Sequence, residues 1–373
     1  MLFVRRSVKE ARLFIKAAAK VLDNRRDLMS EASIADIETA SLALKTALKE
    51  KASDATLKDR QEKLEKACNA VLPRYKHPVI REYCEVFLVA MILAAGIRAY
   101  FLQPFKIPTG SMQPTLNGII GYPQENVPPA LPKRIFDKLV LGRTYMNIVA
   151  TKPERIVDVQ LVTQNFFVTR SAIITETGQY IAPVPPATLI EYFKVRRGRS
   201  YAAGEPIVRG YSDTGDQVFV DKMTYHFFKP NLGDVFVFRT TGIRGIEDGF
   251  PPNSGSQYYI KRIGGVPGVE LRIAPPDLFV NGVLPDVFGL RRVMSLENGY
   301  KGYANGSASG MTFPYLGSPT ATFKVPEHAY IALGDNSFNS LDSRSWGIVP
   351  EDNVVGRGFL VYWPFTSHWG GIR

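Results

Sequence analysis

Cysteine is almost missing from this chain: Cys68 and Cys84 are the only two in 373 residues. That excludes a disulfide-stapled scaffold and a thiolate zinc module. Histidine is nearly as scarce, with His77, His226, His328 and His368, so a Ser-His-Asp set has few places to form. There is no acidic excess; 46 Lys+Arg against 35 Asp+Glu leave a net charge of +11. Nor is there an internal repeat, a low-complexity tract or a series of long apolar runs, which excludes a collagen-like chain, a disordered tail and a polytopic membrane protein. What is present is 45% apolar and 11% aromatic residues, enough to build a core and to fill two or three domains. The cations are uneven. Residues 1–82 carry 18 basic and 12 acidic side chains, and residues 83–373 carry 28 and 23. Such an excess suits nucleic acid or anionic lipid, and the rest of the sequence favours lipid and no nucleic acid.

One segment departs from a soluble pattern. From Val86 to Gln103 the sequence runs VFLVAMILAAGIRAYFLQ, with Arg98 as its one charge. As a helix it is about 27 Å long, near the hydrocarbon thickness of a bilayer. Its uninterrupted apolar part, Val86 to Ile97, is twelve residues, a length that also fits a buried core helix. The expectation taken forward is a transmembrane helix over 83–103, with Arg98 snorkelling at one interface and Glu82 and Glu85 at the other. Arg74, Lys76 and Arg81 precede it, so the positive-inside rule places the N-terminus in the cytoplasm and everything after Gln103 outside. A cleaved leader is not expected, because about 85 residues stand where a short basic n-region belongs. On this topology Cys68 and Cys84 meet no external oxidant.

Four blocks follow from the patterns. Residues 1–82 read as a helical extension, an amphipathic hairpin with Leu42, Leu44, Leu48 and Leu57 among Lys and Glu. Ser33 with Asp36, and Thr56 with Asp59, have capping-box spacing. The span over 83–103 is next. Beyond it come short β runs such as DQVFVDKMTY, DVFVFRTT, AYIAL and GFLVYW, separated by Gly, Pro, Asn and Asp turns. Residues 104–118 and 214–373 form one mainly β region of several small antiparallel sheets. Residues 119–213 stand apart as an inserted β-rich block, Pro-rich at YPQENVPPALPK and APVPPATL and basic at KVRRGRS.

Three motifs carry chemistry. In FKIPTGSMQPTL, residues 105–116, Pro108 and Gly110 bracket a turn that presents Ser111. In QYYIKRIGGVPG, residues 257–268, Lys261 shares a strand face with Tyr259 and Ile263, and Arg262 points the other way with Ile260. Such a lysine is either an exposed edge residue or a desolvated amine of lowered pKa. In ALGDNSFNSLDSRSWGIVP, residues 332–350, the density of Asp, Asn, Ser and Gly marks a tightly hydrogen-bonded loop. Asp335 and Asp342 lack the alternating oxygens and closing Glu of a calcium loop, so no metal and no cofactor is expected.

Together and in this order, the motifs resemble the type I signal peptidases of bacteria, membrane-anchored serine endopeptidases with a Ser/Lys dyad. The resemblance extends over residues 79–116 and then 215–364, taking in Gly215 and Asp216, GDVFVF, VNG and VVGRGFLVYWP. It implies a mainly β catalytic region outside the cytoplasmic membrane. Ser111 matches the nucleophile and Lys261 the general base. Thr109 falls where a hydroxyl assists the Ser111 N–H in the oxyanion hole, and Ser340 matches the serine that orients the lysine. Asp342 and Arg344 match a structural ion pair beneath the site, with Asp335 as further support. The implied partners are membrane phospholipid and preprotein signal peptides with small residues at −1 and −3 of the scissile bond. Three features depart from the family's pattern: the 95-residue insertion, the helical extension, and PGVE at Pro267–Glu270 without the usual Asp.

The residue types suit the chemistry. A serine hydroxyl needs a base within about 2.6–3.2 Å, and a lysine at its ordinary pKa is neutral only about 0.04% of the time at pH 7. Tyr259 and Ile263, with Met112 opposite, are the expected desolvating surroundings and substrate contacts. A Ser-His-Asp reading lacks a GxSxG elbow around Ser111. Soluble Ser/Lys self-cleaving repressors share the dyad, but no helix-turn-helix is evident. A catalytically silent, membrane-anchored paralogue acting as a binding protein does not explain Thr109, Ser111, Lys261 and Ser340 together.

Overall fold

The computed structural model describes residues 6–72, 77–164, 169–246, 257–310 and 312–373. The chain divides into two compact units, one up to Met91 and one from Ile92 onward.

The first unit is helical. Helices α1 (Arg6–Arg25), α2 (Glu31–Lys49) and α3 (Asp54–Val71) bury Ala11, Ala18, Ile37, Leu44, Leu57 and Leu64 between them. The expected hairpin is therefore three helices, with α2 and α3 separated by a turn in which Lys51 has a φ of 52°. The capping signals shift by three residues. Ser30 caps α2 by accepting from the Ser33 N–H, and Ser53 caps α3 by accepting from the Thr56 N–H, each satisfying a donor the first helical turn leaves free. Leu42 faces solvent, 65% exposed.

Helix α4 runs Pro78–Tyr100, and Val86, Phe87, Leu88, Val89, Met91, Ile92 and Leu93 are each more than half exposed. Among the described residues no helix is long and apolar enough to cross a membrane. The span expected over 83–103 is thus not found in the structure. The helix stops at Tyr100 and Leu102 already begins a strand. Between the charges at Glu85 and Arg98 lie twelve apolar residues, about 18 Å of helix against roughly 30 Å of hydrocarbon. Arg74 and Lys76, used for the orientation, lie outside the described residues.

The second unit is mainly β, as the alternating runs predict. Its largest sheet has the order β1–β9–β17–β10–β11–β15–β16, with β18 beside β17. The strands that position the site are β1 (Leu102–Lys106), β9 (Gln217–Asp221), β10 (Val235–Arg239), β11 (Tyr258–Gly265), β15 (Ala329–Leu333) and β17 (Val354–Trp363). β16 is Val349–Pro350 and β18 Gly370–Gly371. All pairings are antiparallel. The period-2 alternation of β10 sends Val235 and Val237 to one core with Ile107, Met112, Leu116, Val218 and Val220. It sends Phe236 and Phe238 to another with Ile263, Tyr330, Ala332 and Trp346, so this strand is covered on both faces. A small sheet of β12 (Glu270–Ala274), β13 (Asp277–Val280) and β14 (Thr322–Lys324) closes a third core around Leu271, Leu290, Tyr303 and Leu333.

Residues 120–213 build two sheets of their own. β2 (Ile120–Pro123), β8 (Pro206–Asp213) and β3 (Arg143–Val149) form one. β6 (Gln179–Ala182), β5 (Thr169–Thr175), β4 (Glu154–Gln164) and β7 (Ser200–Tyr201) form the other. They enclose a separate core of Met146, Ile156, Ile173, Leu189, Val195 and Ile207. Two helices accompany them, α5 (Leu131–Leu141) and α6 (Pro186–Glu191). α5 is oriented against its polarity. Asp137 is buried beneath it, held by Tyr145, while Leu131, Ile135, Phe136 and Leu139 are half or more exposed.

Candidate active site

β1 ends at Lys106, and the chain continues through Pro108 into a single turn of 3₁₀-helix, Gly110–Met112, with Thr109 extended ahead of it. This turn carries Ser111. It is clamped from the loop after β15. The Asn336 N–H donates to the Ser111 carbonyl at 3.0 Å and the Asn336 side-chain amide donates to the Gly110 carbonyl at 3.0 Å. Gly334 makes the approach possible, because a Cβ there would lie 2.1 Å from Ser340 Oγ and 2.6 Å from the Ser111 carbonyl oxygen. From the other end, Asp216 accepts from the Asn117 N–H at 2.7 Å, and its own N–H donates to the Asn117 carbonyl. Its neighbour Gly215 admits no side chain either: a Cβ would stand 1.6 Å from the Ile107 carbonyl oxygen.

β11 brings the lysine. Lys261 is in register with Phe236 of β10 and lies on the face of Tyr259 and Ile263, as strand alternation predicts. Its Nζ is 2.6 Å from Ser111 Oγ, and both residues are buried. Burial lowers the amine's pKa to about 8; Asp342 and Asp335 pull it back up, and Arg344 pushes it down. Desolvation is thus the dominant cause, since an ammonium loses its hydration and gains no touching carboxylate.

The remaining predicted residues divide. Asp342 and Arg344 form a fully buried ion pair, with Arg344 Nη2 to Asp342 Oδ2 and Arg344 Nε to Oδ1 both at 2.8 Å. Arg344 also donates to the carbonyls of Ala304, Ser337 and Ser340, and Asp342 accepts from the Gly334 N–H. The pair therefore ties the serine-rich loop to β15. Asp335 belongs to a second buried pair, donated to by Arg262 at 2.6 and 2.8 Å and by Thr115. Thr115 in turn bonds Tyr300.

Ser340 does not hold the lysine through a hydrogen bond. Its Oγ is buried without a partner beside Gly334. Thr109 is exposed at the cleft and has no capping bond. Met112 and Ile263 are corrected: each is 0% exposed and sits in an apolar core, so neither meets a substrate. The reason is the face each occupies, Met112 turning under the loop and Ile263 lying deeper along β11 than the lysine. Tyr259 does line the cleft, its ring centre 5.6 Å from Lys261 Nζ.

The cleft holds about 750 Å³. Thr109 to Ser111 form one side, Tyr258 to Lys261 another, and Asn339 and Leu341 a third. The fourth is unanticipated, because Pro185, Ala187, Thr188, Glu191 and Tyr192 come from the block 119–213. Sequence reasoning also missed Arg262, Asn336 and Thr115. The adjacency of two cations in a strand otherwise apolar was the available signal for Arg262. Among the described residues no group of His, Cys, Asp or Glu is arranged to hold a metal ion.

A serine hydroxyl hydrogen-bonded to a buried, desolvated lysine on an open cleft is an arrangement in which the amine, when neutral, can take the hydroxyl proton. Comparison with known proteins narrows this. Residues 211–363, which include Lys261, Asp335, Ser340, Asp342 and Arg344, match the family described as signal peptidase, peptidase S26. A probable signal peptidase I-2 of Synechocystis sp. is 31% identical over 40% of this chain and 56% of its own length. A signal peptidase I of Leptolyngbya laminosa is 31% identical over 41% of this chain and 62% of its own. A signal peptidase I of Pseudomonas fluorescens is 24% identical over 78% of this chain and 75% of its own. The chain thus spans about three-fifths of the length of the first two relatives. These similarities bear out the resemblance to the type I signal peptidases, and the family match extends over residues 211–363.

Proposed function

We propose that this chain is a serine endopeptidase that removes signal peptides from exported preproteins. The carrying observation is the 2.6 Å contact between Lys261 Nζ and Ser111 Oγ inside a buried site. A neutral lysine accepts the Ser111 proton as the hydroxyl attacks the scissile carbonyl, and the ammonium then delivers that proton to the leaving amine. The Ser111 N–H and the Thr109 hydroxyl stabilise the oxyanion. Ser340 is a positioning residue, whose unpartnered Oγ turns to the ammonium as it forms. The substrate is an extended peptide with small residues at −1 and −3.

We further propose that 104–118 and 214–373 are one catalytic domain interrupted by the block 119–213, and that the chain works at a membrane surface with the helices of 1–82 on the cytoplasmic side. The exposed apolar side chains of α4 support this, as do those of α5 with Lys133, Arg134 and Lys138 among them. Such surfaces are stabilised by transfer to a phospholipid interface. α4 is the single-pass anchor in this reading, its short apolar stretch extended at both ends by snorkelling charged side chains.

The test incubates detergent-solubilised wild type, Ser111→Ala and Lys261→Ala with a precursor carrying an Ala-x-Ala site and maps the new N-terminus. Wild type should cleave after the second alanine and both variants should be inactive. Processing by either variant overturns the dyad.

A further inference from the structure

A second cavity, of about 410 Å³, adjoins the catalytic cleft: Lys106, Ile119, Thr169 and Pro185 line both. Its other walls come from Gln217 and Trp363 of the large sheet and from Lys138, Arg170 and Val184 of the block 119–213. The charges are one-sided. Lys106, Lys138 and Arg170 line it, and among the described residues no Asp or Glu does. Arg170 and Lys138 are exposed at its mouth, whereas Lys106 is deeper, and burial lowers its pKa with no carboxylate to offset it. Hydroxyls of Thr144, Thr169, Ser212 and Thr214 add further polar groups. Three cations converging on one concavity with low-dielectric walls create a field that favours an anion and repels a cation.

We propose that this chamber is a specificity site for an acidic side chain of the substrate, at a position a few residues from the scissile bond. This rests on the peptidase reading above. A peptide lying past Ser111 meets Lys106 where the cleft and the chamber join, so an Asp or Glu there enters the chamber while its backbone stays in the cleft. A Lys or Arg at the same position is left unpaired beside three cations. The block 119–213 acquires a role by this account: it supplies two of the three cations and narrows which precursors are processed quickly.

The test uses the full chain in detergent and a set of Ala-x-Ala peptides in which Asp, Ala or Lys is placed in turn at each position flanking the site. At one position or two, kcat/KM should fall in the order Asp, Ala, Lys, with roughly tenfold between Asp and Lys. Arg170→Gln with Lys138→Gln should bring that ratio near one while the Ala peptide is cleaved as before. Arg170→Glu should favour Lys. High salt should weaken the preference. Inorganic phosphate and vesicles of anionic phospholipid are added separately to the Ala peptide. If either changes turnover while no peptide position discriminates Asp from Lys, the chamber takes a free anion or a headgroup, and the substrate assignment is overturned. A preference that persists unchanged in the double variant also overturns it. Failure of the peptidase reading looks different, because the Ala peptide itself would then show no Ser111-dependent cleavage.

Discussion

The desolvation of Lys261 is open to a test that separates its chemistry from its cost. Its pKa falls from the ordinary lysine value of 10.5 to about 8 on burial, which corresponds to roughly 3 kcal/mol against the ammonium. The sign follows from linkage. Below pH 8 the amine is protonated in both folded and unfolded states, and the folded state bears the whole cost. As pH rises from about 8 to 10.5 the folded state is already neutral, and the cost disappears. Lys261→Met removes the amine while keeping an unbranched side chain. Relative to wild type it should gain about 3 kcal/mol more from lost desolvation at pH 7 than well above pH 10.5, a pH-dependent difference on top of any constant packing change. The assay is urea denaturation of both proteins at pH 7 and pH 10, followed by tryptophan fluorescence, and between these two pH values about 2.5 kcal/mol of that difference should be seen. All three tryptophans, Trp346, Trp363 and Trp369, lie in the second unit, so the helical extension does not contribute. In wild type, kcat/KM should rise about tenfold per pH unit below pH 7 and level off above pH 9, since about a tenth of the amine is neutral at pH 7. A stability difference that is the same at both pH values, or a rate flat from pH 6 to 9, refutes the reasoning.

Four further outcomes are expected. Thr109→Val should slow turnover by ~10²–10³ with KM nearly unchanged; an unchanged kcat would leave the oxyanion to the backbone alone. Arg344→Leu leaves Asp342 buried and unpaired and should cost about 3–5 kcal/mol in the same denaturation assay. Gly334→Ala should impair both folding and cleavage, because its new methyl group meets Ser340 Oγ and the Ser111 carbonyl, and a soluble variant with wild-type kcat would contradict that geometry. Ser340→Ala should leave stability within about 0.5 kcal/mol, since its Oγ has no partner to lose, while kcat falls and KM holds; an unchanged kcat would remove the positioning role.

Local chemistry was readable where the pattern is short-range. The alternation in β10 and β11 fixed which side chains share the Lys261 face, because strand periodicity follows from backbone geometry and survives any packing. The polar density of 332–350 correctly marked a hydrogen-bonded loop, although the bonds themselves, such as Asn336 to Ser111, join residues 225 positions apart in the sequence. Helix caps were misplaced by three residues since Ser30 and Ser33, like Ser53 and Thr56, offer equivalent oxygens. Only the packed helix ends chose between them.

Alternation within a dozen positions determined the mainly β character, and the family resemblance of three ordered motifs singled out the candidate nucleophile and base. Tertiary structure decided the rest: that Ser111 and Lys261 are 2.6 Å apart across 150 residues, that Met112 and Ile263 are core, and that the 119–213 block walls the cleft. Burial, and with it the amine's lowered pKa, depends on how distant strands close over a site, and no local stretch of chain encodes that closure.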